Sequence, residues 1–332
     1  MEEEKRMIAC RHRFVALAAF LCIAIPVHAQ QKSGEYPTRP IRIVIGIAPG
    51  GGLDTMTRVA AQRLSERFGQ TAVVDNRPGA GTLLGSDLVQ QAAPDGHTLL
   101  CASETLILNG VLKRAKYDVR TAFVPIVRLT IQPYILVVNP ALPVKTVKDL
   151  IAHAKARPGA LSFGTPGVGT TIHIGWERLI AMTGMKIVHV PYKGGAPAVI
   201  DAMSGEIQAV ITTTITAGAH LKSGKLRAIA MTGPKRIPVY PNVPTVSESG
   251  VPGFELTNSY GFFAPTGTPQ PIIAKINSVT IEVMHAPETQ KVLAADGAEA
   301  APPATPAEFK AKFARDYAEM EKTIVAANIK LN

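Results

Sequence analysis

Two glycine-rich turns hold the residues of this sequence that could do chemistry. The first is Ala48-Pro49-Gly50-Gly51-Gly52-Leu53-Asp54, which follows a β-branched apolar run and leads into residues 55–68, where Met56, Val59, Ala60, Leu64 and Phe68 recur at helical spacing. The second is Thr165-Pro166-Gly167-Val168-Gly169-Thr170-Thr171-Ile172-His173, again set between a strand-like run and a helix. A strand that turns through glycines into a helix gathers backbone N–H groups at one point, with the positive end of the helix dipole behind them. That arrangement holds anions. Gly51 and Gly52 are expected to be intolerant of side chains, because a Cβ would obstruct the approach of amides to a ligand. Thr170 and Thr171 add hydroxyls and a cap. Facing each other, the two turns could grip one carboxylate from both sides. Asp54 suits a helix N-cap as well as a ligand contact. His173 could orient its loop or touch the ligand, although a lone histidine is more often structural, and Trp176 one helical turn later reads as core.

Other chemistries fit less well. A phosphate loop needs a Lys after its last glycine, whereas Leu53 and Asp54 follow Gly52. The dinucleotide pattern fails in Gly79-Ala80-Gly81-Thr82-Leu83-Leu84-Gly85, which carries one residue too many. There is no G-x-S-x-G elbow and no H-E-x-x-H. His97, His153, His173, His189, His220 and His285 do not cluster, so no metal site and no cofactor are expected. Cys101 lies on an apolar strand, a poor setting for a reactive thiolate. Asp54 and Glu104 are the only acid–base candidates in the turn regions, which leaves a catalytic reading without named players.

The elements that must position these turns alternate strand and helix. Strands are predicted at 70–75 and 98–102 after the opening one, with a helix over 82–92 between them. Ser103 and Glu104 lie just past the third strand, at the carboxyl edge where open α/β sheets place ligands. Residues 123–138 read as two strand-like runs separated by Thr130-Ile131-Gln132-Pro133. The rhythm then restarts: helix 147–156, strand 161–164, helix 171–183, strand 187–190, helix 196–204 and strand 207–211. A strand at 226–232, a Pro-rich connector over 234–253, a strand at 260–264 and helices at 269–285, 287–295 and 305–327 complete the chain. This pattern predicts an α/β protein of two lobes, each a mostly parallel sheet flanked by helices. Residues 36–131 with 248–332 form the first lobe and 132–247 an inserted second, with crossings near 130–135 and 235–255 acting as a hinge.

Residues 1–29 stand apart. Lys5, Arg6, Arg11 and Arg13 precede an apolar run over 14–27, and Val27-His28-Ala29 fits a cleavage site. The run is shorter than the roughly 20 residues that span a bilayer, so an exported leader is preferred to a membrane anchor. Removing its four basic and three acidic residues lowers the formal net charge of +10 by one. A basic chain attracts anions. Its cations are scattered and aromatics make up only 5% of the chain, so the basic-aromatic interleaving of single-strand nucleic-acid binders is missing. Only Cys101 of the three cysteines remains after the leader, so the fold rests on its apolar core.

Several segments then match a known pattern in order: Tyr36-Pro37-Thr38-Arg39-Pro40-Ile41, the Pro49–Asp54 turn, Asn76-Arg77-Pro78-Gly79-Ala80-Gly81, Ala93-Pro94-Asp95-Gly96-His97-Thr98-Leu99, His189-Val190-Pro191-Tyr192-Lys193-Gly194, Gly224-Lys225-Leu226-Arg227-Ala228 and Ala264-Pro265-Thr266-Gly267-Thr268-Pro269. The mature chain resembles the Bug family, the substrate-binding receptors of tripartite tricarboxylate transporters. The resemblance implies a type II periplasmic-binding-protein fold with Venus-flytrap closure, acting as a periplasmic monomer of a Gram-negative bacterium. It implies that a dicarboxylate, tricarboxylate or aromatic acid is held and delivered to membrane subunits. Carried over, the ligand contacts are Ala48, Gly50, Gly51, Gly52 and Asp54 opposite Thr165, Gly167, Val168, Gly169, Thr170, Thr171 and His173, with Ser103 and Glu104 adding a polar contact. Thr212-Thr213-Thr214 departs from the family, many of whose members have an Asp-Asn pair there. Thr212 and Thr213 remain site candidates, and the lost carboxylate implies a ligand without an essential amino group. The rival readings are a ligand-presenting sensor and a periplasmic enzyme.

Overall fold

The computed structural model describes residues 36–326. The leader expected at 1–29 and the last residue of the predicted C-terminal helix lie outside them. The chain opens with β1 (Ile41–Ile45), α1 (Gly52–Phe68), β2 (Ala72–Asn76), α2 (Leu83–Gln90) and β3 (Thr98–Ala102), with a single 3₁₀ turn at Ala80–Thr82. Two short helices follow, α3 (Thr105–Val111) and α4 (Val119–Ala122), and then the 16-residue β4 (Phe123–Val138). Next come α5 (Val147–Ala156), β5 (Ser162–Thr165), α6 (Thr171–Thr183), β6 (Val188–Pro191), α7 (Gly195–Ser204), β7 (Ala209–Thr213), α8 (Thr214–Lys222) and β8 (Arg227–Met231). The chain returns through β9 (Thr257–Pro265), α9 (Gln270–His285), α10 (Pro287–Ala295), β10 (Glu299–Ala300) and α11 (Pro306–Ala326).

The strands make two sheets that share β4. In the first lobe β1 pairs in parallel with β2 and β3, while β9 runs antiparallel between β3 and the first part of β4. In the second lobe β5 pairs in parallel with β6 and β7, and the last part of β4 runs antiparallel to β7 and β8. Parallel pairing therefore holds within each βα run, as expected, and the long connecting strands make both sheets mixed. Ile43, Val44 and Ile45 are fully buried, as a strand covered on both faces requires.

The interruption predicted within 123–138 does not occur, because Pro133 sits where a missing N–H costs least. It faces Thr257 on β9, and the next residue, Tyr134, already faces Thr213 on β7. β4 thus passes from one sheet to the other at that point. Thr232 ties the returning chain beside it. The Tyr134 amide donates to its hydroxyl at 2.9 Å, and the same hydroxyl donates to the Leu256 carbonyl at 2.7 Å.

Each lobe has its own core. Phe123, Phe263, Phe309 and Phe313 pack with Val44 and Leu100 in the first lobe. Phe163, Trp176, Leu136 and Ile211 anchor the second. Trp176 is buried and its ring stacks on Phe163 at 4.6 Å between centroids, which confirms its reading as core. From Pro37 onward the chain packs as one compact unit, so the lobes meet rather than stand apart.

Candidate functional site

The first glycine turn is held by Asp54. Gly50 takes a φ of 84°, which favours glycine, and Gly51 caps α1 without any side-chain bond. Asp54 in the first turn of α1 reaches back: its Oδ2 accepts from the Gly50 amide at 2.9 Å. Arg58 Nε and Asn76 Nδ2 donate to its Oδ1, each at 3.0 Å. Burial works against the charge, yet Arg58, the Gly50 amide and Asn76 together hold the carboxyl below its ordinary value. The carboxylate is thus committed to shaping the turn.

The second turn is held by two histidines. Thr170 caps α6, its hydroxyl accepting from the His173 amide at 3.4 Å. The Gly169 amide donates to His173 Nδ1 at 3.1 Å, so that nitrogen must stay bare. Burial, with the nearby His189 and Arg114, pushes His173 down to about 4, which keeps the ring neutral near pH 7. Its ring stacks on His189 at 4.0 Å, and His189 Nε2 meets the Thr165 hydroxyl at 2.7 Å. His189 stacks in turn on Phe163, so the loop rests on a column of rings that ends at Trp176.

Between the lobes lies a cavity of about 510 Å³, counted with its opening to solvent. Its walls gather the starts of six helices. Gly51, Gly52 and Leu53 come from α1 and Thr82 caps α2. Thr105 opens α3, and Thr170, Thr171 and Ile172 belong to α6. Gly195 opens α7, and Thr213 with Thr216 belongs to α8. Ile47, Ser103, Pro166 and Thr212 lie beside these starts, and Tyr134 and Tyr260 enter from the long strands β4 and β9. Every lining side chain is uncharged. A roomier hollow at Asn139, His153, Arg157 and Gln208 belongs to the second lobe alone.

The lobes touch around this cavity. Thr105 Oγ1 lies 3.2 Å from Thr171 Oγ1, and the Ala48 amide donates to the Lys193 carbonyl at 2.9 Å. A Cβ on Gly52 would lie 2.4 Å from Thr213 Oγ1. Such closeness describes a two-lobed molecule with its mouth shut.

Residues 56–329 match the profile of the tripartite tricarboxylate transporter family receptor. The chain belongs to that family. It is 36% identical over 296 residues to Protein BugT of Bordetella pertussis, covering 88% of this chain and 89% of BugT. Its fold superposes on that of Rpa4515 of R. palustris solved with adipate, with a TM-score of 0.85, 32% identity, and coverage of 89% of this chain and 99% of that one. MatC of Rhodopseudomonas palustris, solved with bound malate, gives a TM-score of 0.83 at 27% identity, covering 87% of this chain and all of that one, 100%. This family receptor is therefore a solute-binding protein of periplasmic-binding-protein fold.

Among the residues singled out in the sequence of this family receptor, Gly51, Gly52, Ser103, Thr170, Thr171, Thr212 and Thr213 line the cavity. Ala48, Gly50, Asp54, Thr165, Gly167, Val168, Gly169 and His173 stand behind them and shape the two turns. Glu104 departs from expectation. Its Oε1 accepts from the Ser259 amide at 2.7 Å and hydroxyl at 2.6 Å, and it lines a separate small cavity with Arg128, Phe309 and Asp316. The residue keeps partial exposure, but Oε2 is sealed from solvent with no hydrogen-bond partner among the described residues. Burial accordingly pushes the carboxyl up to about 7, against the pull of the Ser259 donors. Cys101 is buried and its thiol is pushed up to about 12, in keeping with an inert side chain. Sequence reasoning missed Thr82, Thr105, Tyr134, Gly195, Thr216 and Tyr260. For Gly195 the predicted helix start at 196 was a usable signal, whereas the helix that carries Thr216 was not anticipated.

Proposed function

We propose that this protein is a non-enzymatic periplasmic receptor that closes its lobes on an organic carboxylate and delivers it to the membrane subunits of a tripartite transporter. One observation carries the reading: six helix starts converge on a cavity lined by no charged side chain. A helix N-terminus carries roughly half a positive elementary charge, so an anion is stabilised beside it without a cationic partner. Threonine hydroxyls supply further donors, and Ile47, Leu53, Pro166 and Ile172 give the organic part of a ligand apolar surface. Rpa4515, solved with adipate, and MatC, solved with bound malate, support a carboxylate as the ligand here.

Among the described residues the cavity has no acidic side chain to meet an ammonium group, and Thr212 and Thr213 line it with hydroxyls. We therefore assign a dicarboxylate, tricarboxylate or aromatic acid without an essential amino group. Residues 36–131 with 248–332 and residues 132–247 act as the two jaws. They pivot where β4 passes Pro133 and where the chain returns over 235–255. The protein works as a monomer. Native mass spectrometry of protein purified without refolding tests the assignment, the expected result being a released carboxylic acid. A released amino acid or peptide would overturn it.

A further inference from the structure

Arg114 sits just beyond α3 and does not line the cavity, yet it touches both of the loops that do. Its Nη1 donates to the Val168 carbonyl of the second lobe at 2.6 Å and to Asn109 Oδ1 of the first at 3.1 Å. Its Nη2 donates to the Ala80 carbonyl at 3.1 Å. All three acceptors are neutral, and only one of them belongs to the opposite lobe.

The first-lobe side of this contact is a strained turn. Ala80, Gly81 and Thr82 all take positive φ, at 49°, 62° and 78°, which is unfavourable for the two that carry a Cβ. Buried Asn109 holds the turn from within, its Nδ2 donating to the Gly81 carbonyl at 3.0 Å and to Thr82 Oγ1 at 3.1 Å. Lys113, which aims Arg114, also has a positive φ of 51°. The glycines of both loops make room for the guanidinium: a Cβ on Gly169 would lie 2.2 Å from Nη1, and one on Gly81 would lie 2.7 Å from it. Backbone strain, two glycines and a buried asparagine therefore all serve one side chain.

We infer that Arg114 is a positioning residue that latches the closed lobes, joining the turn that presents Thr82 to the loop that presents Pro166 and Thr170. The inference rests on the two lobes being jaws that open, and it holds whichever ligand the cavity takes. Opening breaks the bond to Val168 and leaves the two first-lobe bonds intact, so the latch stays preformed on one jaw. The planar fork is essential, because a lysine ammonium cannot reach both loops with fixed geometry.

Hydrogen exchange on the unliganded protein tests this apart from any carboxylate assignment. Among the described residues, the Ala48 and Thr171 amides take cross-lobe acceptors: Ala48 bonds to the Lys193 carbonyl at 2.9 Å, and Thr171 to Thr105 Oγ1 at 3.3 Å. The Arg42 amide, bonded to the His97 carbonyl within the first lobe, is the control. Arg114→Met is expected to speed exchange at Ala48 and Thr171 by about ten- to a hundred-fold, the equivalent of one charge-assisted hydrogen bond, with Arg42 unchanged. Arg114→Lys should fall between parent and Arg114→Met. If Arg114→Met fails to fold, Gly169→Ala displaces the same guanidinium from the other lobe and should give the same pattern. Unchanged protection at Ala48 and Thr171, an equal loss at Arg42, or a parent protein in which these two amides are already unprotected would each overturn the latch.

Discussion

Thr105 and Thr171 meet hydroxyl to hydroxyl at 3.2 Å, one from each lobe, and the Thr171 amide adds a second bond to Thr105 Oγ1 at 3.3 Å. Both side chains are buried, so the pair forms only when water has left the cleft. Thr105→Val and Thr171→Val are each expected to weaken carboxylate binding roughly 3- to 10-fold. In a double-mutant cycle read by calorimetry, the two losses should overlap by about 1 kcal/mol. Full additivity would mean that the pair does not support the closed state.

Gly52 and Gly51 should respond differently to a side chain. A Cβ on Gly52 would meet Thr213 across the cleft at 2.4 Å from Oγ1, whereas one on Gly51 would press on the tip of Ile47 at 3.0 Å and make ordinary contact with the Ala48 carbonyl and the Gly195 nitrogen at 3.9 Å. Gly52→Ala is expected to weaken binding about ten- to a hundred-fold by obstructing closure. Gly51→Ala should be milder. Equal tolerance at both positions would contradict the closed geometry.

The histidine column makes the second turn sensitive to acid. His173 drops from 6.5 when unfolded to about 4 when folded, because burial disfavours its charged form. Between those values the unfolded chain binds more protons. Stability is therefore complete above about pH 6.5 and falls as pH drops toward 4, by on the order of 3 kcal/mol for this one group. Burial lowers His189 too, which steepens the same fall. Trp176 lies in the same ring column, so its fluorescence in urea melts at pH 8 and pH 5 reads the effect directly. His173→Asn should flatten the dependence, since an amide oxygen can accept from Gly169 without titrating.

Glu104 works in the opposite direction. Its folded value of about 7 stands above the ordinary 4.5 because the carboxyl is buried. The stability it contributes is complete below about pH 4.5 and is lost as pH rises through 7. Glu104→Gln keeps an acceptor for Ser259 and removes the buried charge. It is expected to raise the melting temperature at pH 8 and to leave it nearly unchanged at pH 4.5. A lower melting temperature at pH 8 would show that the ionised carboxylate is needed.

The two glycine turns, the helices α1 and α6 behind them and most strands of the βα runs were legible in the chain, because turn glycines and helical periodicity are local properties. The helices α3 and α8, which also open on the cavity, were not anticipated. Nor were Tyr134 and Tyr260. They lie on β4 and β9, and which face of such a strand meets the cleft depends on a register set by distant partners. Thr82 escaped notice because a threonine at φ 78° is disfavoured by its own side chain and is held there by Asn109 and by the turn that Arg114 grips. Asp54 and Glu104 were chemically plausible ligand contacts, but their carboxylates are directed into structure by Gly50, Arg58 and Asn76 in one case and by Ser259 in the other. Residue type announced their charge; only the tertiary contacts assigned its use.

The proposed carboxylate receptor rests on a cleft whose lining, among the described residues, is uncharged and offers an ammonium group no acidic partner. Calorimetric titration with malate, adipate, citrate and benzoate, and with aspartate as the amino counterpart of malate, tests it most directly. The expected result is clear binding of at least one of the four acids, with aspartate about 100-fold weaker than malate or undetectable, because its buried ammonium would be left unpaired. Binding of aspartate more tightly than of all four acids would contradict the account.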